Sequence, residues 1–231
     1  MKKLILILGA ALAFTACAPT STTPSQDASI AAAKPAKPVV AAEINPENLK
    51  TAVFAGGCFW CVESDFEKLD GVYEAVSGYT GGTTKNPSYK AVTFTETGHF
   101  EAVEVSYDPN IISYTELLDY YWRTIDPIDP NGQFCDQGSS YRTAIFANEE
   151  QIKIAEQSKN DIAVSKPFDG PVTTDIIALG TFYVAEDYHQ DYYKKNPIHY
   201  ARYRIGCRRD ARLQALWGKA ESNSGTYGSG K

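Results

Sequence analysis

"KTAVFAGGCFWCVESDF", residues 50–66, changes its period in the middle. The first half is a short, largely apolar run closed by Gly56 and Gly57, which reads as a strand running into a tight turn. Beyond it Phe59, Val62, Phe66 and Leu69 recur at helical spacing. A strand therefore gives way to a helix at Cys58. A thiol there faces unpaired backbone N–H groups and the positive end of the helix dipole, both of which favour thiolate, the reactive form of cysteine.

Working outward, "GVYEAVSGY" and "FEAVEVSYDP" read as further strands, the second by its alternation. "SYTELLDYYWRTI" is a helix, with Ser113 as N-cap and Glu116 three residues later completing a capping box. The strand "RTAIFA", the helix "NEEQIKIAEQSKNDIAV" and the strand "PVTTDIIAL" follow. Strands interleaved with helices predict an α+β fold: a mixed β-sheet with flanking helices, a ferredoxin-like sandwich containing βαβ units. After about residue 185 the chain is aromatic, polar and irregular in pattern.

The 231 residues, 43% of them hydrophobic, suffice for one substantial core. A formal charge of -6 leaves no basic footprint for nucleic acid. "MKKLILILGAALAFTAC" has two lysines and an apolar run too short for a stable membrane span, and reads as an export signal. Processing before Cys17 resembles a bacterial lipoprotein signal; ordinary signal cleavage is the alternative. Residues 1–16 are thus expected to be the signal and Cys17 the lipidation site, which would make the protein a periplasmic or cell-envelope lipoprotein touching the membrane only through that anchor. Residues 17–46, dominated by Ala, Pro, Ser and Thr, are expected to be a disordered tether, residues 47–218 the folded domain and 219–231 a disordered tail.

Four cysteines remain: Cys58, Cys61, Cys135 and Cys207. In an exported chain they could form two structural disulfides. Cys58 and Cys61 have the spacing of a redox dithiol, although the usual exchanger pair follows a tryptophan, whereas Trp60 here lies between them. The same spacing is half a zinc site, but Cys135, Cys207, His99, His189 and His199 supply no second tight pair. No metal is expected. Three more clusters carry polar chemistry: "GYTGG" with "NPSY" (78–89), "TGHFEAV" with Glu101, and "FCDQGSSYRTAIF" with Asp136 and Tyr141.

"GCFWCVE", "GYTGG" with "NPSY", "TGHFEAV", "FCDQGSSYRTAIF" and "FYVAEDYHQDYYKKNP" occur in that order across about 150 residues, and with them the chain resembles the A-type peptide methionine sulfoxide reductases over residues 50–218. The resemblance implies a thiol-dependent reduction of methionine-S-sulfoxide, free or in proteins. Cys58 would attack sulfur and be left as a sulfenic acid. Glu101, held neutral, would supply the proton that the leaving oxygen needs. Tyr89 and Tyr141 would hydrogen-bond that oxygen, Asp136 would lie beside the pocket, and Phe59 and Trp60 would wall the substrate methyl. No cofactor is implied; a second thiol would condense with the sulfenic acid and an external thioredoxin-like dithiol would reduce the resulting disulfide. The family's usual resolving position, four residues after "NP", is Ala201 here. Cys207 is the first substitute, then Cys61, then Cys135, and a relay through two of them is possible. Glu186 and Asp187 are expected to support the pocket mouth.

Overall fold

A computed structural model describes residues 44–218; the expected signal, Cys17, most of the tether and the tail lie outside the described residues. The first described residues are already tied down. A 3₁₀ turn at Pro46–Asn48 is capped by the Asn45 side chain, and the Asn45 N–H donates to Asp108 at 3.1 Å.

Six strands form one sheet in the order β7-β6-β1-β3-β2-β8. They are β1 (Lys50–Gly56), β2 (Val72–Thr80), β3 (Phe100–Tyr107), β6 (Thr143–Ala147), β7 (Asp175–Ala178) and β8 (Tyr183–Val184). A separate two-stranded ribbon pairs β4 (Gly132–Gln133) with β5 (Asp136–Gln137). Only β6 and β7 run parallel, and α4 (Ile152–Ser165) makes the crossover between them. This is the βαβ unit, because parallel neighbours need such a connection. All other pairings in the main sheet are antiparallel.

Period-two alternation sorts each strand between two faces. On one face Phe54, Val103, Val105 and Ile145 pack with Phe66, Leu117, Leu118 and Trp122 from α1 (Phe59–Phe66) and α3 (Tyr114–Thr124) in the main core. On the other, Val53, Ala55, Ala102 and Phe146 form a thinner layer under Leu179 and Phe182. Glu101 shares the parity of Val103 and Val105 and is paired with Tyr79, so both side chains belong to the helix-bearing face. The Ser113–Glu116 capping box starts α3 as its sequence predicts. Trp122 and Trp217 pack, their indole N–H groups donating to Ser158 at 2.8 Å and the Ile125 carbonyl at 3.2 Å.

After β8 the chain leaves the strand-helix alternation and winds round the helix face as three short helices: α5 (Tyr192–Lys195), α6 (Pro197–Gly206) and α7 (Arg209–Trp217). Left-handed residues, Asp191 and Arg208, redirect it before α5 and α7. Among the described residues no helix is long and apolar enough to cross a membrane.

Candidate active site

Cys58 is the N-cap of α1, as the change of period predicts. Its carbonyl accepts the first helical bonds, from the N–H of Cys61 at 3.0 Å and of Val62 at 3.4 Å. Gly57 has φ +81, and a Cβ there would lie 2.6 Å from Cβ of Gln133. The close approach that its glycine permits is to this neighbouring loop. Gln133 is itself fixed, donating to the carbonyls of Asp126 and Gly132, both at 2.8 Å, and accepting from the Asp126 N–H.

The Phe59 N–H, an unpaired donor of the first helical turn, donates to Oε2 of Glu101 at 3.1 Å. Nucleophile and carboxyl thus meet at one helix end. Glu101 is only 2% exposed, and burial pushes its pKa up to about 8, against the lowering effect of the Phe59 N–H and of a hydrogen bond with Tyr141. At neutral pH it is mostly a carboxylic acid, the form able to donate.

Tyr89 and Tyr141 hydrogen-bond each other, and both lie within the field of Glu101. Burial raises both phenols, so they stay protonated donors. Tyr89 opens α2 (Tyr89–Phe94), capped by Ser88, and its N–H donates to Glu186 Oε1 at 2.9 Å. The other carboxylate oxygen of Glu186 accepts from Tyr79 at 2.8 Å, so this residue fastens α2 to the sheet. Asp187 contributes its backbone carbonyl, to Lys195 at 3.1 Å.

Of the two expected wall residues, Phe59 is buried at 1% exposure, its ring centroid 4.9 Å from that of His189, and Trp60 is partly open. Trp60 stacks flat on Tyr192 at 3.7 Å and donates to Nδ1 of His189 at 3.0 Å. Burial lowers His189 to about 4, so this acceptor is a neutral imidazole. His99 ties down the glycine loop, accepting from the Gly82 N–H at 3.2 Å and contacting the Thr84 carbonyl at 2.7 Å. His199 contacts the Tyr192 hydroxyl at 3.1 Å. All three imidazoles thus take part in hydrogen bonds that tie neighbouring segments together.

The cysteines separate into two kinds. Cys135 and Cys207 are bonded to each other across 72 residues, so two of the three expected candidates for the second thiol are not free in this state, and Cys61 is the one that is. Cys58 and Cys61 are free and buried, and share a hydrogen bond. Two thiols sharing a proton release the first readily and the second reluctantly. The hydrogen bond from Cys58 and the guanidinium groups of Arg209 and Arg204 bring Cys61 down to about 7, whereas burial, then Cys61 and Glu101, raise Cys58 well above the usual thiol range.

Among the described residues, two groups of side chains have metal-ligand types in reach of one another. In Cys135, Asp136 and Cys207 the sulfurs are joined as a disulfide and are not thiolates. In Glu63, Glu67 and Asp191 the oxygens already take donors: Ser77, the Asp191 N–H, Tyr193 and the Lys194 ammonium at 2.6 and 2.7 Å. Neither set fits a cation as it stands.

Sequence reasoning missed three residues of the C-terminal arm. Tyr203, on α6, donates to Oδ2 of Asp136 and hydrogen-bonds the Cys58 sulfur. Arg209, 2% exposed, donates to the carbonyls of Gly56 at 3.1 Å and Thr124 at 2.8 Å and lies over the Phe134 ring. Arg204 pairs with buried Asp65 at 2.9 Å and with Asp210 at 2.7 Å. No local spacing marks them, since their partners lie 67 to 153 residues away or on another turn.

Comparison with known proteins agrees with this geometry. The family model described as peptide methionine sulfoxide reductase matches residues 50–221. The chain is 51% identical to "Peptide methionine sulfoxide reductase MsrA" of Bacillus licheniformis over 174 residues, 75% of this chain and 96% of that one. It is 52% identical to "Peptide methionine sulfoxide reductase MsrA 2" of Caulobacter vibrioides, over 73% of this chain and 86% of the relative. Among solved structures, methionine sulfoxide reductase A of Corynebacterium diphtheriae superposes with a TM-score of 0.62 at 33% identity, covering 67% of this chain and 77% of the other. Mxr1 of Saccharomyces cerevisiae in reduced form gives 0.62 at 32% identity, covering 68% and 90%.

Proposed function

The chain belongs to the peptide methionine sulfoxide reductase family, and on that premise we propose that it reduces methionine-S-sulfoxide in exported proteins or peptides through Cys58, with Glu101 as the acid. The observation that carries the reading is the buried, mostly neutral Glu101 accepting the Phe59 N–H directly after the Cys58 N-cap. A thiolate attacking a sulfoxide sulfur needs a proton for the oxygen, and the raised pKa of this carboxyl beside Cys58 supports Glu101 as its donor. Tyr89 and Tyr141 hold the same oxygen as charge builds on it. Oxygen transfer leaves methionine and a Cys58 sulfenic acid.

Cys61 then condenses with that sulfenic acid, forming the S–S bond and releasing water. Its free thiol, its hydrogen bond to Cys58 and its lowered pKa support this role over Cys207 and Cys135. An external thioredoxin-like dithiol reduces the new disulfide and is itself oxidised, so the cycle balances without a prosthetic group. The apolar run ending at Cys17 supports export and a lipid anchor, with repair of oxidised envelope proteins as the task. Intact-mass analysis of membrane extracts should find a lipid on Cys17; a soluble mature chain starting elsewhere refutes the anchor.

The test is a single turnover of the purified full chain, with Cys58 and Cys61 reduced, on a peptide holding one methionine sulfoxide of defined epimer. The S epimer should yield one methionine per chain and a Cys58–Cys61 disulfide. Cys61→Ser should yield the methionine but stop at the sulfenic acid. No methionine from either epimer, with Cys58 and Cys61 exchanging disulfides in a test protein, would make the pair a thiol-disulfide exchanger.

A further inference from the structure

The Cys58 sulfur has hydrogen-bonding neighbours on two elements: Cys61, one turn on along α1, and the hydroxyl of Tyr203 from α6. That hydroxyl is also the donor to Oδ2 of Asp136, so thiol, phenol and carboxyl form a continuous hydrogen-bonded row. The row is held from both ends. Cys135 immediately precedes Asp136, and Cys207 follows Tyr203 by four residues, one helical turn, so the Cys135–Cys207 bond joins the two segments that carry Asp136 and Tyr203. The Cys135 sulfur itself lies 3.7 Å from Oδ1 of Asp136, and the Trp60 ring packs edge-on against Tyr203 at 5.9 Å.

We propose, on the premise that Cys58 is the nucleophile of this reductase, that Tyr203 is a further catalytic residue which carries the Cys58 proton to Asp136 and is left donating its hydroxyl to the thiolate. In the step the S–H bond of Cys58 breaks and its proton joins the Tyr203 oxygen, while the proton that Tyr203 held passes to Oδ2 of Asp136. Cys58 ends as thiolate, Tyr203 as a neutral phenol and Asp136 as a neutral acid; no oxidant or reductant is involved. The two carboxyl groups of the site then have separate tasks. Glu101 keeps its proton for the sulfoxide oxygen, while Asp136 receives the one the nucleophile must lose. Burial raises Asp136 against the lowering effects of Tyr203 and Arg209, and Tyr203, raised well beyond the usual phenol range, does not accumulate as phenolate. The other groups bearing on this titration are Cys61 on α1, Glu101 on β3 and Tyr89 on α2 around Cys58, and Arg209 on α7 beside Asp136.

The experiment is the pH dependence of Cys58 alkylation by iodoacetamide in the full chain, read for Cys58 separately from Cys61 by peptide mass spectrometry. It is run beside single-turnover methionine formation. Tyr203→Phe should slow alkylation at pH 7 by about tenfold and move its midpoint up by about one unit. Methionine formation should fall in parallel at pH 7. Incorporation of 3-fluorotyrosine at position 203, a stronger donor of nearly the same shape, should move the midpoint down; it also keeps the test open should the Phe variant fail to fold. Superimposable alkylation profiles for wild type and these variants would overturn the role of Tyr203. If the profiles shift while wild type forms no methionine, the reductase reading fails and the thiol-phenol contact stands.

Discussion

Glu101 lies on a central strand, faces the helix layer and has hydrogen bonds with the Phe59 N–H and Tyr141, which do not offset the water its charged form loses on burial. Its pKa is raised in the folded state, from about 4.5 to about 8. The folded protein therefore binds the proton more tightly than the unfolded chain between those values. Stability is greatest below pH 4.5 on this account and is lost as pH rises through 8. Glu101→Gln should stabilise the protein at pH 8 by on the order of 3 kcal/mol in urea unfolding, while lowering kcat/KM by about 10²–10⁴-fold. For the wild type, kcat/KM should fall above pH 8 as the acid ionises; an unchanged rate to pH 9.5 would remove Glu101 from the proton-donor role. The identity of Glu101, Tyr89, Tyr141 and Asp136 as candidates was legible only through motif resemblance. What makes Glu101 an acid, its burial on the helix-bearing face of the sheet, is invisible in the local sequence.

At the scale of elements, strands and capped helices announced themselves. The strands β1, β2, β3 and β6 follow apolar or alternating runs, and α3 follows its capping box. Ser113→Ala removes the hydroxyl that accepts from the Glu116 N–H and donates to its carboxylate, leaving the backbone N–H bond of residue 113 to Glu116, and should cost about 1 kcal/mol in urea unfolding with kcat unchanged. The turn before α1 is less forgiving. Gly57→Ala puts a Cβ at φ +81 against Gln133, so the loss should be about 1–3 kcal/mol and should reach turnover, because Cys58 is the next residue. The helices after β8 were not legible. The α6 helix has no fully buried residue, and α7 buries only Arg209 and Leu216, so neither carries an apolar stripe for periodicity to find. Their arrest in place comes from ion pairs and aromatic stacking on partners far away in the chain.

Over the whole molecule, the Cys135–Cys207 bond closes a long loop and joins the C-terminal arm to the ribbon that carries Asp136. The double variant Cys135→Ser/Cys207→Ser should lose about 2–4 kcal/mol and become sensitive to limited proteolysis within the arm, from residue 186 onward. An arm as resistant as wild type would show that Arg204 and Arg209 suffice to hold it. The sequence by itself determined the α+β class, the strand-to-helix switch at Cys58, the order of the motifs and hence the family, because these are signalled by local period, turn chemistry and short spacings. Only the tertiary structure decided which cysteines are joined, that Tyr203 and Arg209 reach the thiol pair, and that Glu101 is mostly protonated at neutral pH. Those outcomes depend on burial and on contacts between residues far apart in the chain, and neither distance nor desolvation is written in any local pattern.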